Sequence, residues 1–201
     1  APGGQIYSTY PPEAGGFATI SGTSMASPHV AGAAALMLQA KPRTNSQVMR
    51  TILQNSADPK PWWGNPALGF LDNVHRQGAG MLDIDDAILA TTRIEPGKIA
   101  TGESEAGPYT ETLHIENNGD TDVTYDLSHV AALATGPNTF APAFFNAPAT
   151  VAFSAPSVSV PAGGSATVDV TITPNAALAD LSQYGGYVVF TPQGGGQTYS
   201  V

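Results

Sequence analysis

The sequence predicts two segments of different fold class, a mixed α/β segment at residues 1–95 and an all-β sandwich at residues 96–201. The α/β prediction rests on residues 25–40, which carry no charged side chain and have apolar or small side chains on every face of the implied helix. A helix of that kind is expected to be enclosed by protein. The sandwich prediction rests on short runs of apolar residues that recur with a period of two between turn signals, without a helical pattern.

The composition excludes several classes of partner and chemistry. The 201 residues carry a net charge of −9, from 16 acidic and 7 basic side chains, and show no basic patch. Nucleic acids and anionic membrane surfaces are therefore not expected as partners, because both require clustered Lys and Arg. The sequence has no cysteine, which excludes disulfides and thiolate chemistry. No run approaches the ~18 apolar residues that are needed to span a bilayer.

Both ends of the sequence predict that it is a segment of a longer protein. Residues 1–4, APGG, lack an initiator methionine, and residues 199–201 stop within a strand-like pattern.

The residues before the uncharged stretch predict two short strands and a turn. Residues 5–10 form an extended pattern ended by two prolines, and residues 17–21 form a second one. Gly22 can take backbone angles closed to other residues, and the hydroxyls of Thr23 and Ser24 are good helix N-caps. We therefore expect Ser24 at a helix N-terminus, where free N–H groups and the helix dipole stabilise negative charge.

A serine in this position is compatible with three roles. The Ser24 hydroxyl suits nucleophilic acyl transfer, because the neighbouring backbone N–H groups can hold the oxyanion of a tetrahedral intermediate. A purely structural interpretation is that Ser24 caps the helix. Phosphate binding at the helix N-terminus is the third role, and it is disfavoured because this turn has one glycine and no nearby lysine.

Residues 22–32, GTSMASPHVAG, resemble the signature around the nucleophilic serine of the subtilases, the subtilisin-like serine proteases, at eleven consecutive positions. The resemblance implies that residues 1–95 are the C-terminal part of a doubly wound parallel-sheet catalytic domain. It also implies that Ser24 is the nucleophile, that its backbone N–H is one oxyanion donor, and that Thr23 supports the oxyanion pocket.

The resemblance also implies what the chain lacks. In subtilases the catalytic residues follow one another in the order Asp, His and Ser. The orienting Asp, the general base His and the Asn that supplies the second oxyanion donor are therefore expected upstream of Ala1. We expect the parent protein to be a serine endopeptidase that acts on protein or peptide substrates, in an extracellular or cell-envelope location. This chain, without the upstream remainder of the catalytic domain, is expected to be inactive.

The segment after the uncharged helix predicts further helices and a loop. Helical spacing of apolar residues predicts a helix that ends near Asn55. Residues 58–71 read as an irregular loop with adjacent tryptophans, Trp62 and Trp63, which we expect to pack across a domain boundary, with ligand binding as the alternative. Residues 77–83, QGAGMLD, followed by a predicted helix at residues 84–90, are similar to the closing segment of the subtilase catalytic domain.

The histidines and carboxylates do not predict a metal site. His29 lies five residues after Ser24 and is expected to face the protein interior, and the four histidines show no i, i+4 pair. Three carboxylates fall at or inside a helix start, where we expect capping rather than calcium binding. These are Asp83, Asp85 and Asp86. Calcium sites occur in the subtilase family, but no residue here can be matched to one, and no cofactor is identified.

The composition changes at residues 94–107, which we interpret as the domain boundary. Beyond it, a turn at residues 118–120 separates two alternating runs, a second turn follows at residues 161–164, and residues 187–190 form a last clear strand before a glycine hairpin. This arrangement resembles the fibronectin-type-III-like domain that follows the protease domain in many plant and bacterial cell-envelope subtilases. We expect the sandwich to be truncated.

The alternative to an enzyme is a catalytically inactive relative of the subtilases. In that protein the β-sandwich would bind a cell wall, a glycan or a protein partner. The intact Gly22, Thr23 and Ser24 weigh against this alternative, but the loss of an upstream catalytic residue would leave no trace in this sequence.

Overall fold

The computed structural model describes residues 1–138 and 140–201 and divides into two compact units, residues 1–49 and residues 50–201. The first unit begins with an antiparallel hairpin of strands β1 (Ile6–Thr9) and β2 (Phe17–Ile20). The rings of Tyr7 and Phe17 stack across the hairpin with their centroids 5.6 Å apart. Both predicted strands are present, and each pairs only with the other, so no parallel pair lies within residues 1–49.

The uncharged stretch forms helix α1 (Thr23–Ala40), and helix α2 (Ser46–Asn55) follows it. The expectation that α1 is enclosed on every face is wrong for this chain, because only Ala33 and Met37 are buried. A helix with apolar side chains all round needs cover on every side, and the two short strands of the first unit are too small to supply it. Three large apolar side chains of α1 are exposed, namely Val30, Leu36 and Leu38.

The second unit contains a helical part and a sandwich. In the helical part, helix α3 (Val74–Gln77) and helix α4 (Ile84–Leu89) follow an irregular loop, as predicted for the loop and for α4. Isolated antiparallel bridges tie that loop together, at Asp58 with Met81 and at Pro61 with Leu71.

The sandwich consists of two four-stranded antiparallel sheets, which confirms the predicted all-β class. The first sheet contains β3 (Thr92–Glu95), β4 (Tyr109–Asn117), β8 (Thr150–Phe153) and β10 (Ser165–Thr173). The second contains β5 (Val123–Ala131), β9 (Ser157–Val160), β11 (Gly186–Pro192) and β12 (Tyr199–Ser200). The strand order is β3, β4, β10, β8 in the first sheet and β12, β11, β5, β9 in the second.

The core of the sandwich comes from the alternating residues that the sequence indicated. Leu113 and Ile115 of β4 are buried while His114 between them is exposed, so the period of two places one face of the strand inside. The opposite sheet contributes Tyr125 and Phe190, whose rings meet edge to face with their centroids 6.1 Å apart. Aromatic pairs favour such edge contacts.

Three short strands of the second unit, β3, β6 (Ala134–Gly136) and β7 (Ala143–Phe145), were not predicted from the sequence. The last two residues of β3 fall at the start of the stretch, residues 94–107, that we interpreted as a boundary. A small hairpin of β6 and β7 lies within an irregular run. Strands of three or four residues contain too few alternations to show a period of two. None of the helices among the described residues has the length and apolar character required to cross a membrane.

Candidate functional site

The candidate site is the first turn of α1, where Ser24 is the second helical residue. Gly22 is the N-cap, and its carbonyl oxygen accepts the N–H groups of Met25 at 3.0 Å and Ala26 at 3.3 Å. The N–H groups of Thr23 and Ser24 belong to the part of a helix that has no intrahelical acceptor. The helix dipole adds partial positive charge at this end, so the turn around Ser24 favours a negative oxygen.

The hydroxyls of Thr23 and Ser24 do not cap the helix, and the expectation that they do so is wrong. The cap position is taken by Gly22, which has no side chain, and both hydroxyl residues lie inside the helix, beyond the cap. Both residues are exposed, and neither hydroxyl forms a hydrogen bond with any residue that the structure describes. The Ser24 hydroxyl therefore has no role in holding this turn.

The turn is held by the backbone of Gly3 instead. The Gly22 N–H donates to the Gly3 carbonyl oxygen at 2.7 Å. A Cβ atom on residue 3 would lie 2.7 Å from the Gly22 carbonyl oxygen and 3.1 Å from the Ala26 Cβ, so a side chain at this position would collide with the backbone. The sequence did not predict this contact, because a hydrogen bond between residues 3 and 22 leaves no local pattern.

His29 is exposed on α1, and the expectation that it is a core residue is wrong. Its Nδ1 lies 2.8 Å from the Met25 carbonyl oxygen, so the ring donates a hydrogen bond to the preceding turn of its own helix. The interior position is inferred from the spacing of five residues between Ser24 and His29, but most faces of α1 are exposed in this chain, so that spacing does not place the ring inside. The other histidines lie in the second unit, where burial lowers the pKa of His129 on β5.

Comparison with known proteins assigns the two segments to families. Residues 1–80 match the subtilase family, and residues 100–201 match the family described as Fn3-like domain, which covers half of the chain. The chain joins a subtilase segment to an Fn3-like domain. Both resemblances seen in the sequence are confirmed, and the GTSMASPHVAG motif lies inside the subtilase match.

Curated relatives are bacterial proteases that are much longer than this chain. The minor extracellular protease Vpr of Bacillus subtilis (strain 168) is 35% identical over 137 residues, which are 64% of this chain and 16% of Vpr. Subtilisin DY of Bacillus licheniformis is 49% identical over 57 residues, 28% of this chain and 20% of that protein. Thermitase of Thermoactinomyces vulgaris is 52% identical over 58 residues, 29% of this chain and 19% of thermitase. The chain thus spans a fifth or less of the length of these relatives.

The carboxylates at the end of the subtilase segment cap a helix. Asp83 is the N-cap of α4, and its Oδ1 accepts the Asp86 N–H at 3.0 Å. Desolvation raises the pKa of Asp86, and the negative charges of Asp83, Asp58 and Asp85 raise it further. Among residues 1–138 and 140–201, no three His, Asp or Glu side chains are arranged to hold a metal ion.

The two tryptophans lie where the subtilase segment meets the Fn3-like domain. The Trp62 ring is 5.8 Å from the ring of Phe144, which lies on β7 of the Fn3-like domain. Trp63 is exposed, and the Arg76 guanidinium lies over its ring at 5.3 Å and over the Phe144 ring at 5.7 Å. Trp62 thus packs across the boundary between the two matched segments, while Trp63 and Arg76 form a cation–π pair at the surface.

Proposed function

We propose that this chain supplies the nucleophile of a subtilisin-like serine endopeptidase, with Ser24 as the residue that is acylated. The Ser24 Oγ attacks the carbonyl carbon of the scissile peptide bond while a general base takes the hydroxyl proton. The C–N bond then breaks, the amine leaves with that proton, and water hydrolyses the acyl-enzyme to regenerate the Ser24 hydroxyl. The base, its orienting Asp and the oxyanion Asn are proposed to lie in the sequence upstream of Ala1.

The observation that carries this proposal is the state of the Ser24 hydroxyl. It lies in the first turn of α1, it is exposed, and it forms no hydrogen bond with the described residues, so it is free to react. The Ser24 N–H is proposed as one oxyanion donor, because it belongs to the unpaired N–H groups at the positive end of the helix. Thr23, the preceding residue, is proposed to support that pocket.

The domain organisation and location of the protein follow from the same proposal. Residues 1–95 are proposed to belong to the catalytic domain and residues 96–201 to the Fn3-like domain, with β3 (Thr92–Glu95), at the end of the first segment, pairing with β4 of the sandwich. The substrates are proteins or peptides, and we place the protein outside the cell or in the cell envelope. The similarity to Vpr, which is named an extracellular protease, supports this location.

Labelling with a fluorophosphonate tests the proposal, because the probe reacts with activated serines. The full-length protein is expected to be labelled, and the Ser24→Ala variant is expected to lose the label. Ser27→Ala is the matched control, since Ser27 is an exposed serine on the same helix, three residues further on. Equal labelling of the wild type and Ser24→Ala would show that Ser24 is not the nucleophile.

The inactive-relative alternative makes a different prediction in the same experiment. A folded full-length protein that is never labelled and never cleaves peptides would support a binding role for the Fn3-like domain. The 201-residue chain alone is expected not to cleave peptides, because it lacks the proposed base. Cleavage by this chain alone that disappears in Ser24→Ala would contradict the upstream location of the base.

A further inference from the structure

The two sheets of the Fn3-like sandwich each end in a short strand on the side that carries Asn55. β3 is the first strand of one sheet, and β12 is the first strand of the other. An edge strand presents unpaired N–H and C=O groups, which have to be covered or paired. Ile94 on β3 and Ser200 on β12 are nevertheless buried, so these two edges are covered within this chain.

The side chain of Asn55 connects the two edges. Its Oδ1 accepts the Ile94 N–H at 2.8 Å, and its Nδ2 donates to the Ser200 carbonyl oxygen at 3.1 Å. Asn55 is only 1% exposed. One amide group therefore satisfies an outward backbone group on each sheet, using both its acceptor and its donor.

A second contact also joins the edge strands β3 and β12. The Tyr199 hydroxyl on β12 accepts the N–H groups of Thr91 at 3.3 Å and Thr92 at 3.4 Å, next to and within β3. Beyond β3, Gly97 lies so close to α2 that a Cβ atom there would be 2.8 Å from the Gln54 Oε1. The end of α2 and the β3 edge are thus in direct contact.

The opposite edges of the sandwich differ. β8 and β9 end the two sheets on the other side, and Thr150 and Ala152 of β8 and Ser159 of β9 are exposed. On these two strands only Val158 and Val160 of β9 are buried, and no residue of β8 is.

We propose that the Asn55 side chain closes one edge of the Fn3-like sandwich, so that the end of α2 is a structural part of that sandwich. Asn55 lies within residues 1–80, which match the subtilase family. The sandwich is therefore completed by the subtilase segment and is not an independent module joined by a spacer. This role is independent of Ser24 and of the proposed peptidase activity.

Amide hydrogen exchange in the 201-residue chain tests the proposal at single residues. In the wild type, the Ile94 amide is expected to be protected like the amides of the central strand β10, such as Val168. An Ile94 amide that exchanges as fast as a solvent-exposed edge amide would overturn the proposal without any substitution.

The Asn55→Ala variant tests the role of the side chain directly. The Ile94 amide is expected to exchange at least about tenfold faster relative to Val168, because a buried N–H loses the acceptor that Asn55 supplies. Asn65→Ala is the matched control, because Asn65 is exposed and its side chain accepts a hydrogen bond from the nearby Ala67 N–H, two residues along the chain. An unchanged ratio of Ile94 to Val168 exchange in Asn55→Ala would overturn the proposal. If that variant does not fold, the wild-type comparison decides.

Discussion

The Tyr125 hydroxyl lies 2.7 Å from the Thr92 Oγ1 in the interior of the sandwich, joining β5 of one sheet to β3 of the other. Both residues are buried, and desolvation raises the pKa of Tyr125. The two hydroxyls thus satisfy each other across the core between the two sheets.

The Tyr125→Phe variant is expected to lose about 1 kcal/mol of unfolding free energy, because the Thr92 hydroxyl is left buried without its partner. Urea unfolding followed by tryptophan fluorescence measures this loss, since both tryptophans lie in the second unit. Tyr184→Phe is the control, because the Tyr184 hydroxyl forms no hydrogen bond with the described residues. Equal losses in the two variants would contradict a specific role for the bond between the sheets.

Tyr187 makes the stability of the second unit sensitive to alkaline pH. Burial, and after it the charge of Asp72, raises the pKa of Tyr187 well above its ordinary value of about 10. Because the folded state holds the phenol proton more tightly, the stabilisation is fully present below about pH 10 and is lost as the pH rises towards the folded-state pKa.

The Tyr187→Phe variant is therefore expected to be less stable than the wild type at neutral pH, because the hydrogen bond from the Tyr187 hydroxyl to the Gly78 carbonyl oxygen, 2.8 Å long, is lost. Between about pH 9 and pH 11 it is expected to lose less stability than the wild type. Urea midpoints measured across this range test the prediction, and parallel curves for the two proteins would disprove it.

Asn73 ties the subtilase segment to the Fn3-like domain from inside the structure. It is fully buried, its Nδ2 donates to the Leu133 carbonyl oxygen at 2.7 Å, and its Oδ1 caps α3 by accepting the His75 N–H at 2.8 Å. Asn73→Ala is expected to cost about 2–4 kcal/mol, since both bonds are lost. Asn65→Ala, at an exposed cap, is expected to cost less than about 1 kcal/mol. Similar losses in denaturant unfolding would contradict the assignment.

Two leucines of the second unit differ sharply in their contribution to the core. Leu113 is 0% exposed on β4, whereas Leu181 is 86% exposed. Leu113→Ala is expected to cost about 2–5 kcal/mol, because it removes buried apolar surface and leaves a cavity. Leu181→Ala is expected to change stability by less than about 0.5 kcal/mol. Chemical denaturation of both variants checks the contrast, and a large loss in Leu181→Ala would require a contact that its exposure excludes.

The Ser24 hydroxyl is expected to be dispensable for folding. Because it neither caps α1 nor bonds to a described residue, Ser24→Ala is expected to change stability by less than about 0.5 kcal/mol. Asp83→Ala, which removes the cap of α4, is expected to cost about 1 kcal/mol. Circular dichroism during thermal unfolding measures both. Marked destabilisation by Ser24→Ala would support a structural role for the hydroxyl.

The sequence predicted those strands and helix caps that depend on residues close together in the chain. Alternating apolar residues such as Leu113 and Ile115 placed β4 correctly, and the carboxylate of Asp83 at a helix start predicted its cap. In the first unit, the extent of α1 was predicted while its burial and its cap were not. Whether α1 is covered depends on elements distant in sequence, and the cap depends on how the chain approaches Gly22.

Contacts between distant residues explain the other features that the sequence did not reveal. The Gly3 carbonyl oxygen holds the Ser24 turn by accepting a hydrogen bond from the Gly22 N–H. The sequence around Gly3 does not indicate which distant residue it contacts. Asn55 resembles any polar residue at the end of a helix, yet it is bonded to residues 94 and 200.

By itself, the sequence determined the two fold classes, the family of each segment and the candidate nucleophile, because periodicity and an eleven-residue motif are local properties. Only the tertiary structure decided that Gly22 caps α1 and leaves the Ser24 hydroxyl unbonded, and that Asn55 and Asn73 join the subtilase segment to the sandwich. The reason is physical. A buried amide is stable only when its partners are brought to it, and those partners lie tens of residues away along the chain.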